Sequence, residues 1–289
     1  MKATKEKHES HSQAMEVWKR FRRNKLAMVG MCIAILLVLV SVLAPVLTPY
    51  SPSAIDPVNR LQFPTLAHPF GTDDYGRDLL TRVLYGGRIS LLISLLSLCF
   101  SILLGVGLGA TAGYFGGLYE AIVMRCCDIL MCIPALLLAV CISSLLGVGI
   151  VNTAVAIALA GVAPCIRMMR ATVLQIRGQE FVEAARATGS GNLRIIFKQI
   201  LPNTLSQVIV DATLRVGGNI LQISGLSFIG LGVVPPTAEW GSIMSVGRDY
   251  ITTFWPMVTI PGIFVVLTVF AFNVMGDGLR DALDPRLKQ

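Results

Sequence analysis

The sequence predicts an all-α integral membrane protein with about six transmembrane helices. Of its 289 residues, 54% are hydrophobic and 14% are charged, whereas a soluble domain carries about a quarter charged residues. Several uncharged runs are long enough to cross a bilayer core, which takes about 20 helical residues. The net charge of +7 comes largely from basic residues beside these runs. It is therefore explained by orientation in the membrane, and nucleic acid is not an expected partner.

The N-terminal segment, residues 1–25, is expected in the cytoplasm. Its apolar residues fall on one helical face, at Ala14, Val17, Trp18 and Phe21, with basic residues around them. This pattern is typical of a short amphipathic helix that lies in the membrane interface with its basic side near lipid phosphates. A simple positive flank to the next helix is the alternative interpretation. Membrane lipid is thus an expected partner.

The first transmembrane helix is predicted at residues 26–47, where no charge occurs. An extracytoplasmic loop follows at 48–88. Within it, residues 76–84 have apolar side chains on one side and predict an interfacial helix that leads into the second span. Asp78 and Arg82 are four residues apart, the spacing of an ion pair on a helix surface.

Residues 89–277 hold five further predicted spans. The second is expected at 89–112, and the third begins near Ala121 and is kinked at Pro134. An uncharged stretch begins inside the third span and is too long to be a single span. A hairpin is therefore predicted at 147–152, between the third and fourth spans.

The last two spans lie on either side of a proline-containing loop. The fifth is predicted at about 205–229 and the sixth at about 256–275, and residues 278–289 form a charged cytoplasmic tail. Basic residues concentrate before the first span, around residues 167–198 and in the tail. Because cytoplasmic loops carry an excess of Lys and Arg, this distribution places both termini in the cytoplasm.

A polar segment at residues 178–203 separates the fourth and fifth spans, on the predicted cytoplasmic side. It reads as a helix, a break at residues 189–191 and a second helix. The second helix carries an apolar stripe at Leu193, Ile196, Phe197, Ile200 and Leu201. Pro202 is predicted to end that helix. The segment is too polar to cross a bilayer and too regular for a slack loop, so it predicts a docking surface.

Seven residues of this segment form a spaced pattern, namely Glu183-Ala184-Ala185, Gly189 and Ile200-Leu201-Pro202. The pattern resembles the EAA loop of permease subunits of bacterial ABC importers. One departure is Gln199, which stands where the general pattern has an apolar residue and which the peptide branch of the family tolerates. Residues 70–78, 226–232 and 276–285 are similar to the C-type permeases that carry dipeptides, oligopeptides or nickel. The resemblance covers nearly the whole chain from Leu26 onward.

The resemblance implies one half of a multi-pass importer channel in the cytoplasmic membrane of a bacterium. It implies three kinds of partner: a homologous second permease, ATPase subunits that bind ATP and Mg, and an extracytoplasmic solute-binding protein. The seven residues would form the element that couples this chain to an ATPase subunit. Gly189 would let the chain turn where a side chain would clash. The chain itself is not expected to be an enzyme or to bind a cofactor.

Two residue sets leave alternatives open. Asp211 and Arg215 line up on one helical face and either line the translocation path or neutralise each other inside the helix bundle. Cysteines at 126, 127, 132 and 141 are interpreted as packing residues, because their spacing does not match a metal site and no histidine is near in sequence.

The cargo and the class of function also have alternatives. Peptide is the first expectation for the cargo. Nickel is the second, because Gln222 replaces the Glu that the peptide branch tends to have and residues 237–241 resemble some nickel permeases. A membrane-embedded hydrolase is a distant alternative, since the sequence has no His-Glu-x-x-His motif and no nucleophile elbow. A passive channel, which would conduct without ATP, is another distant alternative.

Overall fold

The computed structural model describes residues 13–283, and helices make up most of this part. The predicted all-α fold is confirmed, since the described residues contain no strand beyond one isolated bridge between Thr72 and Asp78. The helices are α1 (Gln13–Phe21), α2 (Lys25–Val42), α3 (Ala44–Leu47), α4 (Leu79–Phe115), α5 (Gly117–Met131), α6 (Ala135–Leu146), α7 (Ile150–Ile176), α8 (Glu180–Ala187), α9 (Asn192–Ile195), α10 (Leu201–Phe228), α11 (Trp240–Gly247) and α12 (Pro256–Leu283). The first part of the N-terminal segment and the end of the predicted tail lie outside the described residues.

Within residues 13–283, four helices are long and apolar enough to cross a membrane, namely α2, α4, α7 and α12. The bent pair α5 and α6 makes a fifth if it is counted as one span. Helix α10 covers the predicted fifth span with 28 residues but is not among these candidates, because polar side chains such as Asp211 and Arg215 lower its hydropathy. The count of six spans and the location of the termini stay predictions.

Helices α4 and α7 form the centre of the bundle because glycines let them approach closely. A Cβ atom on Gly105 would lie 2.4 Å from Sγ of Cys165, and one on Gly109 would lie 2.6 Å from the carbonyl oxygen of Ile166. Ser101 Oγ also donates a hydrogen bond of 2.8 Å to the carbonyl oxygen of Ala158. These contacts hold the two helices together along their midsections.

The interfacial helix predicted at 76–84 does not exist as a separate element. Helix α4 begins at Leu79 and runs without interruption through 37 residues. Asp78 is its N-cap and accepts a hydrogen bond of 2.7 Å from the backbone nitrogen of Thr81. Its other oxygen lies 2.9 Å from Nδ1 of His68. The predicted ion pair between Asp78 and Arg82 is therefore wrong, because capping the helix turns the carboxylate away from the helix surface.

The kink predicted at Pro134 is a much sharper break. Helices α5 and α6 meet at an angle of 88°. Pro134 has no backbone N–H to continue α5 and restricts the residue before it, so the chain restarts as a new helix in another direction. The predicted hairpin at 147–152 is present, with Gly147 after the end of α6 and Gly149 before α7, both at positive φ.

The bundle has two distinct ends. We call the "loop end" the one where segment 48–78 and α11 pack against the start of α4, and the "coupling end" the one that carries α8 and α9. Helix α1 lies at the coupling end, where Phe21 is buried against Ala27 and Ala282. Trp18 stacks on Phe21 but stays 45% exposed. The described part of α1 thus packs one side on the protein, and its placement in the membrane interface stays a prediction.

Candidate functional site

Helix α8 presents a polar and small-residue surface on a buried base. Val182 is fully buried in a cluster with Tyr114, Met169 and Ile195, and this contact seats α8 on the coupling end of the bundle. Glu183 and Ala184 point outward and are exposed. Small side chains permit close approach by another chain, and Glu183 adds a charge near the helix start. Ala185, by contrast, is half-buried and packs against the same cluster.

The end of α8 explains why glycine stands at position 189. Ser190 N donates to the carbonyl oxygen of Ala185 at 3.1 Å, and Gly189 N donates to that of Arg186 at 2.9 Å. This pair of bonds is the Schellman motif, which places the residue after the helix end in the left-handed region. Gly189 has a φ of +77°, as the predicted turn requires. A Cβ at this position would have no atom within 4 Å, so backbone conformation and not crowding by this chain favours glycine.

Two contacts fix the coupling end to α4. Tyr114 Oη donates a hydrogen bond of 2.9 Å to Oδ1 of Asn192, at the start of α9. The Arg186 guanidinium lies 5.1 Å from the centroid of the Tyr114 ring, within the range of a cation–π contact. Tyr114 therefore joins the helices on both sides of the Gly189 turn.

The apolar stripe after the turn is only partly buried against the rest of the bundle. Ile196 and Ile200 are buried as predicted, but Leu193 and Phe197 are 64% and 65% exposed. Ile195, which the stripe left out, is buried instead. The reason is a π-helical segment, Ile196–Ile200, whose wider turn shifts the register of the side chains.

The prediction that Pro202 ends this helix is wrong. The chain continues from α9 through the π-helical segment into α10, which begins at Leu201. Pro202 thus lies in the first turn of α10, where a residue without a backbone N–H is tolerated. As a result, the chain is continuously helical from α9 to the end of α10.

Asp211 and Arg215 pair with each other on α10, as their spacing predicts. The carboxylate Oδ2 of Asp211 accepts a hydrogen bond from Nε of Arg215. The same guanidinium donates through Nη1 to the carbonyl oxygen of Gly161 on α7 at 3.0 Å. Both side chains keep about a fifth of their area exposed, 18% for Arg215 and 22% for Asp211. The pair is neutralised and tied to a neighbouring helix, yet open to the space beside α10.

Further small and polar residues continue the same face of α10. Gly218, Gln222 and Gly225 follow Asp211 and Arg215 at spacings of three or four residues, which puts all five on one side of the helix. Gly218 is exposed, and no atom lies within 4 Å of a Cβ at that position. Sequence reasoning found only the charged pair. The helical spacing of the glycines with Gln222 was the signal that would have extended it.

The loop end holds a buried charge network that sequence reasoning also missed. Asp73 is fully buried and accepts a hydrogen bond of 2.6 Å from Nε of Arg77. Arg82 lies with Nε 3.1 Å from the same carboxylate, and its Nη1 donates to the carbonyl oxygen of Pro52 at 2.9 Å. The dense alternation of charges in residues 73–82 was the available signal, because charged residues are buried only when they are paired.

Two carboxyl groups of the loop end have perturbed acidity. Burial raises the pKa of Asp74 above its ordinary value, and the neighbouring carboxylate of Asp73 raises it further. Burial also raises the pKa of Glu239, although hydrogen bonds from Ser242 and Ser90 oppose this effect. Both groups lie in loop segments, so their protonation contributes to the pH dependence of the loop end.

Within residues 13–283, no three His, Cys, Asp or Glu side chains come together in a group that could hold a metal ion. Of the seven cysteines, Cys127 and Cys165 are buried, as packing residues are expected to be. Three of the four cysteines interpreted as packing residues are exposed instead, namely Cys126, Cys132 and Cys141, and so are Cys32 and Cys99. The absence of a metal site stays a prediction for the complete chain.

A family model described as the inner membrane component of binding-protein-dependent transport systems matches residues 105–289. The match spans more than half of the chain, including the coupling end and all of α10. The chain belongs to this family. A second model, the N-terminal transmembrane domain of oligopeptide transport permease C, matches residues 12–64.

The relatives of this inner membrane component are transport permeases. The dipeptide transport system permease protein DppC of Alkalihalophilus pseudofirmus is 42% identical over 94% of this chain and 90% of its own length. The di/tripeptide permease DppC of Pseudomonas aeruginosa is 42% identical over 96% of this chain and 93% of its own. The glutathione transport permease GsiD of Escherichia coli is 39% identical over 94% and 90%.

A solved structure supports the fold of this inner membrane component. The chain is similar to one from an inward-facing conformation of the MetNI methionine ABC transporter, with a TM-score of 0.56. The superposition covers 70% of this chain and 97% of that chain at 19% identity. The chain is therefore a multi-pass protein of the cytoplasmic membrane with an ABC-permease fold.

Proposed function

We propose that this chain is the permease subunit of an ABC importer for di- or oligopeptides, driven by ATP hydrolysis on separate subunits. The observation that carries the proposal is the seat of α8, which holds Glu183 and Ala184 outward on the buried base of Val182. A surface of this kind suits a docked chain, because small side chains permit close approach and Glu183 supplies a charge. ATP and Mg²⁺ are bound by the ATPase subunits, because this sequence has no phosphate-binding loop.

Each residue of the EAA pattern has a distinct part in this coupling. Glu183 and Ala184 contact the ATPase subunit directly. Ala185 and Ile200 seat the element on the bundle, and Gly189 turns the chain between its two halves. Leu201 and Pro202 begin α10, so a displacement of α8 by the ATPase is transmitted along a continuous helix to the membrane.

The translocation path runs along the face of α10 that carries Asp211, Arg215, Gly218 and Gln222. A homologous second permease supplies the other wall, and an extracytoplasmic solute-binding protein delivers the peptide at the loop end. The arrangement supports this role because Asp211, Arg215 and Gln222 are partly exposed on this face, and Gly218 leaves open space beside them. Paired charges beside an aqueous path suit the zwitterionic backbone of a short peptide.

Copurification tests the coupling role. The Gly189→Asp variant places a side chain at positive φ and is expected to lose the ATPase subunits while the chain is still expressed. Gly191→Asp is the matched control, because Gly191 has an ordinary φ of −65° and open space around its Cβ position. Retention of the ATPase subunits by Gly189→Asp would contradict the coupling role of Gly189. Copurification of no ATPase subunit by the unmodified protein would favour a channel or a hydrolase.

Uptake assays test the cargo. A strain that lacks this chain is expected to lose uptake of a labelled dipeptide and to recover it on complementation. Nickel is the second candidate, favoured by Gln222 and by residues 237–241. It is less supported, because the relatives described above are named for peptides or glutathione. Normal dipeptide uptake together with lost nickel uptake would reverse this order.

A further inference from the structure

An apolar slot opens on the side of the bundle near the loop end. It lies between α2, α4, α10 and α12 and has a volume of about 860 Å³. Val38, Leu92, Leu95, Val216 and Phe272 contribute apolar walls. This volume is within the range of pockets that hold small ligands, about 300–1,000 Å³. We call this cavity the lateral slot.

The lateral slot reaches from the loop level into the membrane. Ser53 and Thr237 lie at its loop side, and Arg88 and Leu95 both line it along α4. Seven residues separate Arg88 from Leu95, which corresponds to about 10 Å at a rise of 1.5 Å per residue. On α12 the slot reaches Phe272, near the middle of that helix. The slot is therefore long enough to take up much of an acyl chain.

A single cation stands among the residues of the slot. Arg88 is exposed, and its guanidinium lies 5.6 Å from the centroid of the Tyr85 ring, which also lines the slot. Within the described part of the chain, Arg88 makes no ion pair with a carboxylate. Tyr and Arg at the edge of a hydrocarbon region are typical of the interface with lipid headgroups. A positive group at the mouth of an apolar slot is complementary to an anionic head with a hydrocarbon tail.

The lining distinguishes a lipid from a peptide substrate. A short peptide carries an ammonium group and amide groups, and burying them without hydrogen bonds costs free energy. No Asp or Glu lines the slot, and its polar side chains other than Arg88 and Tyr85 are the hydroxyls of Ser41, Ser53 and Thr237. An acyl chain requires none of these partners. The open polar face of α10, with Gly218 and Gln222, is not part of the slot.

We propose that the lateral slot binds a glycerophospholipid, with one acyl chain between α2 and α4 and the phosphate on Arg88. Helix α2 forms one wall of the slot and touches α4 beside it, where a Cβ on Gly87 would lie 2.2 Å from Oγ of Ser41. The acyl chain fills the remaining space between these helices and thereby fixes α2 to the rest of the bundle. This lipid is a structural ligand and is separate from the transported cargo.

Photo-crosslinking of the complete transporter tests the proposal. The purified assembly is placed in nanodiscs of phosphatidylethanolamine and phosphatidylglycerol with a trace of phospholipid that carries a diazirine in its acyl chain. Cross-links on this chain are expected to concentrate on residues 85–95 of α4 and 38–42 of α2. Uniform labelling of all lipid-facing helices would overturn the proposal, and this map on the unmodified protein does not depend on the folding of any variant.

Matched variants separate the slot from the rest of the surface. Leu92→Trp fills the slot and is expected to lower cross-linking at residues 85–95 several-fold. Leu103→Trp is the control, since Leu103 is 73% exposed on the same helix and does not line the slot. Arg88→Gln is expected to lower the phospholipid retained after detergent washing several-fold, whereas Arg248→Gln leaves it unchanged. Equal effects of a variant and its control would overturn the proposal.

A photoreactive amino acid at position 92 tests the competing occupant. A cross-link from this position to phospholipid supports the lipid site. A cross-link to the second permease instead would mean that the neighbouring subunit fills the slot, and the proposal would be abandoned.

Discussion

Ser90 on α4 donates a hydrogen bond of 2.9 Å to Oε1 of Glu239, a carboxyl group fully shielded from solvent. Glu239 is also the N-cap of α11, because its Oε2 accepts a hydrogen bond of 2.9 Å from the backbone nitrogen of Ser242. One side chain therefore joins a helix of the membrane bundle to a helix of the loop end. A rigid connection of this kind keeps the loop end in register with α4.

Removing this carboxyl group should destabilise the protein. Glu239→Ala leaves Ser90 Oγ and Ser242 N buried without their acceptor, at a cost of about 1–3 kcal/mol for each unsatisfied group. We expect a clearly lower midpoint in thermal unfolding of the purified transporter. Asp249→Ala is the control, because the Asp249 side chain is 71% exposed. Equal midpoints for the two variants would contradict the connecting role of Glu239.

Asp74 should make stability depend on pH. Its pKa is raised in the folded protein by burial, so the folded state binds the proton more tightly than the unfolded state does. Its contribution is therefore most favourable below the ordinary pKa of 3.8 and is lost as the pH rises through the higher folded-state pKa. We expect Asp74→Asn to flatten the decline in the unfolding midpoint as the pH rises above 3.8. An unchanged slope would contradict the assignment.

Ile200 and Phe197 belong to one stripe in the sequence but should behave differently. Ile200 is fully buried, and Ile200→Ala should lower the free energy of unfolding by about 2–5 kcal/mol. Phe197 is 65% exposed, and Phe197→Ala should change it by no more than about 0.5 kcal/mol. Denaturation of the purified protein measures both values. A larger loss for Phe197→Ala would mean that the π-helical register is not present in solution.

The Asp211–Arg215 pair should show coupling in a double-mutant cycle. Asp211→Asn removes the carboxylate that pairs with the Arg215 guanidinium, and Arg215→Gln leaves an unpaired carboxylate. Each single variant should lose stability that the double variant partly recovers, with a coupling of about 0.5–3 kcal/mol. The unfolding free energies of the four proteins give this value. Strict additivity would show that the two groups act independently.

A substitution at Gly218 tests whether the open face of α10 lines the translocation path. Gly218→Leu adds a side chain in open space and should leave the unfolding midpoint unchanged while it lowers dipeptide uptake several-fold. Gly107→Leu is the control, since Gly107 on α4 also has no atom within 4 Å of its Cβ position. Uptake equal to that of the unmodified protein in Gly218→Leu would remove the open face of α10 from the path.

The sequence is informative where the backbone chemistry is local. Gly189 predicts a turn because few other residues adopt positive φ, and the spacing of Asp211 and Arg215 predicts an ion pair on one helix. Long uncharged runs predict helices in a membrane for a similarly direct reason, since the bilayer leaves few other structures possible. These features depend on residues close together in the chain.

The features that sequence reasoning missed depend on distant partners or on a competing local bond. Arg82 pairs with Asp73 and with the loop carbonyl of Pro52, because Asp78 is already engaged at the N-terminus of α4. Pro202 follows a π-helical segment and lies in the first turn of α10, where a residue without a backbone N–H is tolerated. The helix therefore continues past it. Neither outcome is contained in helical periodicity, which describes one regular helix at a time.

The break at Pro134 limits what can surround this chain. Every helix end has backbone carbonyl or amide groups without helical partners, and the 88° bend between α5 and α6 brings two such ends together inside the pair of helices that counts as one candidate span. Hydrocarbon offers these groups no hydrogen bonds, so irregular backbone at this depth requires protein or water beside it. The surface around Pro134 is consequently a boundary that lipid alone cannot form. A lone copy of this chain in a bilayer would be incomplete along that side.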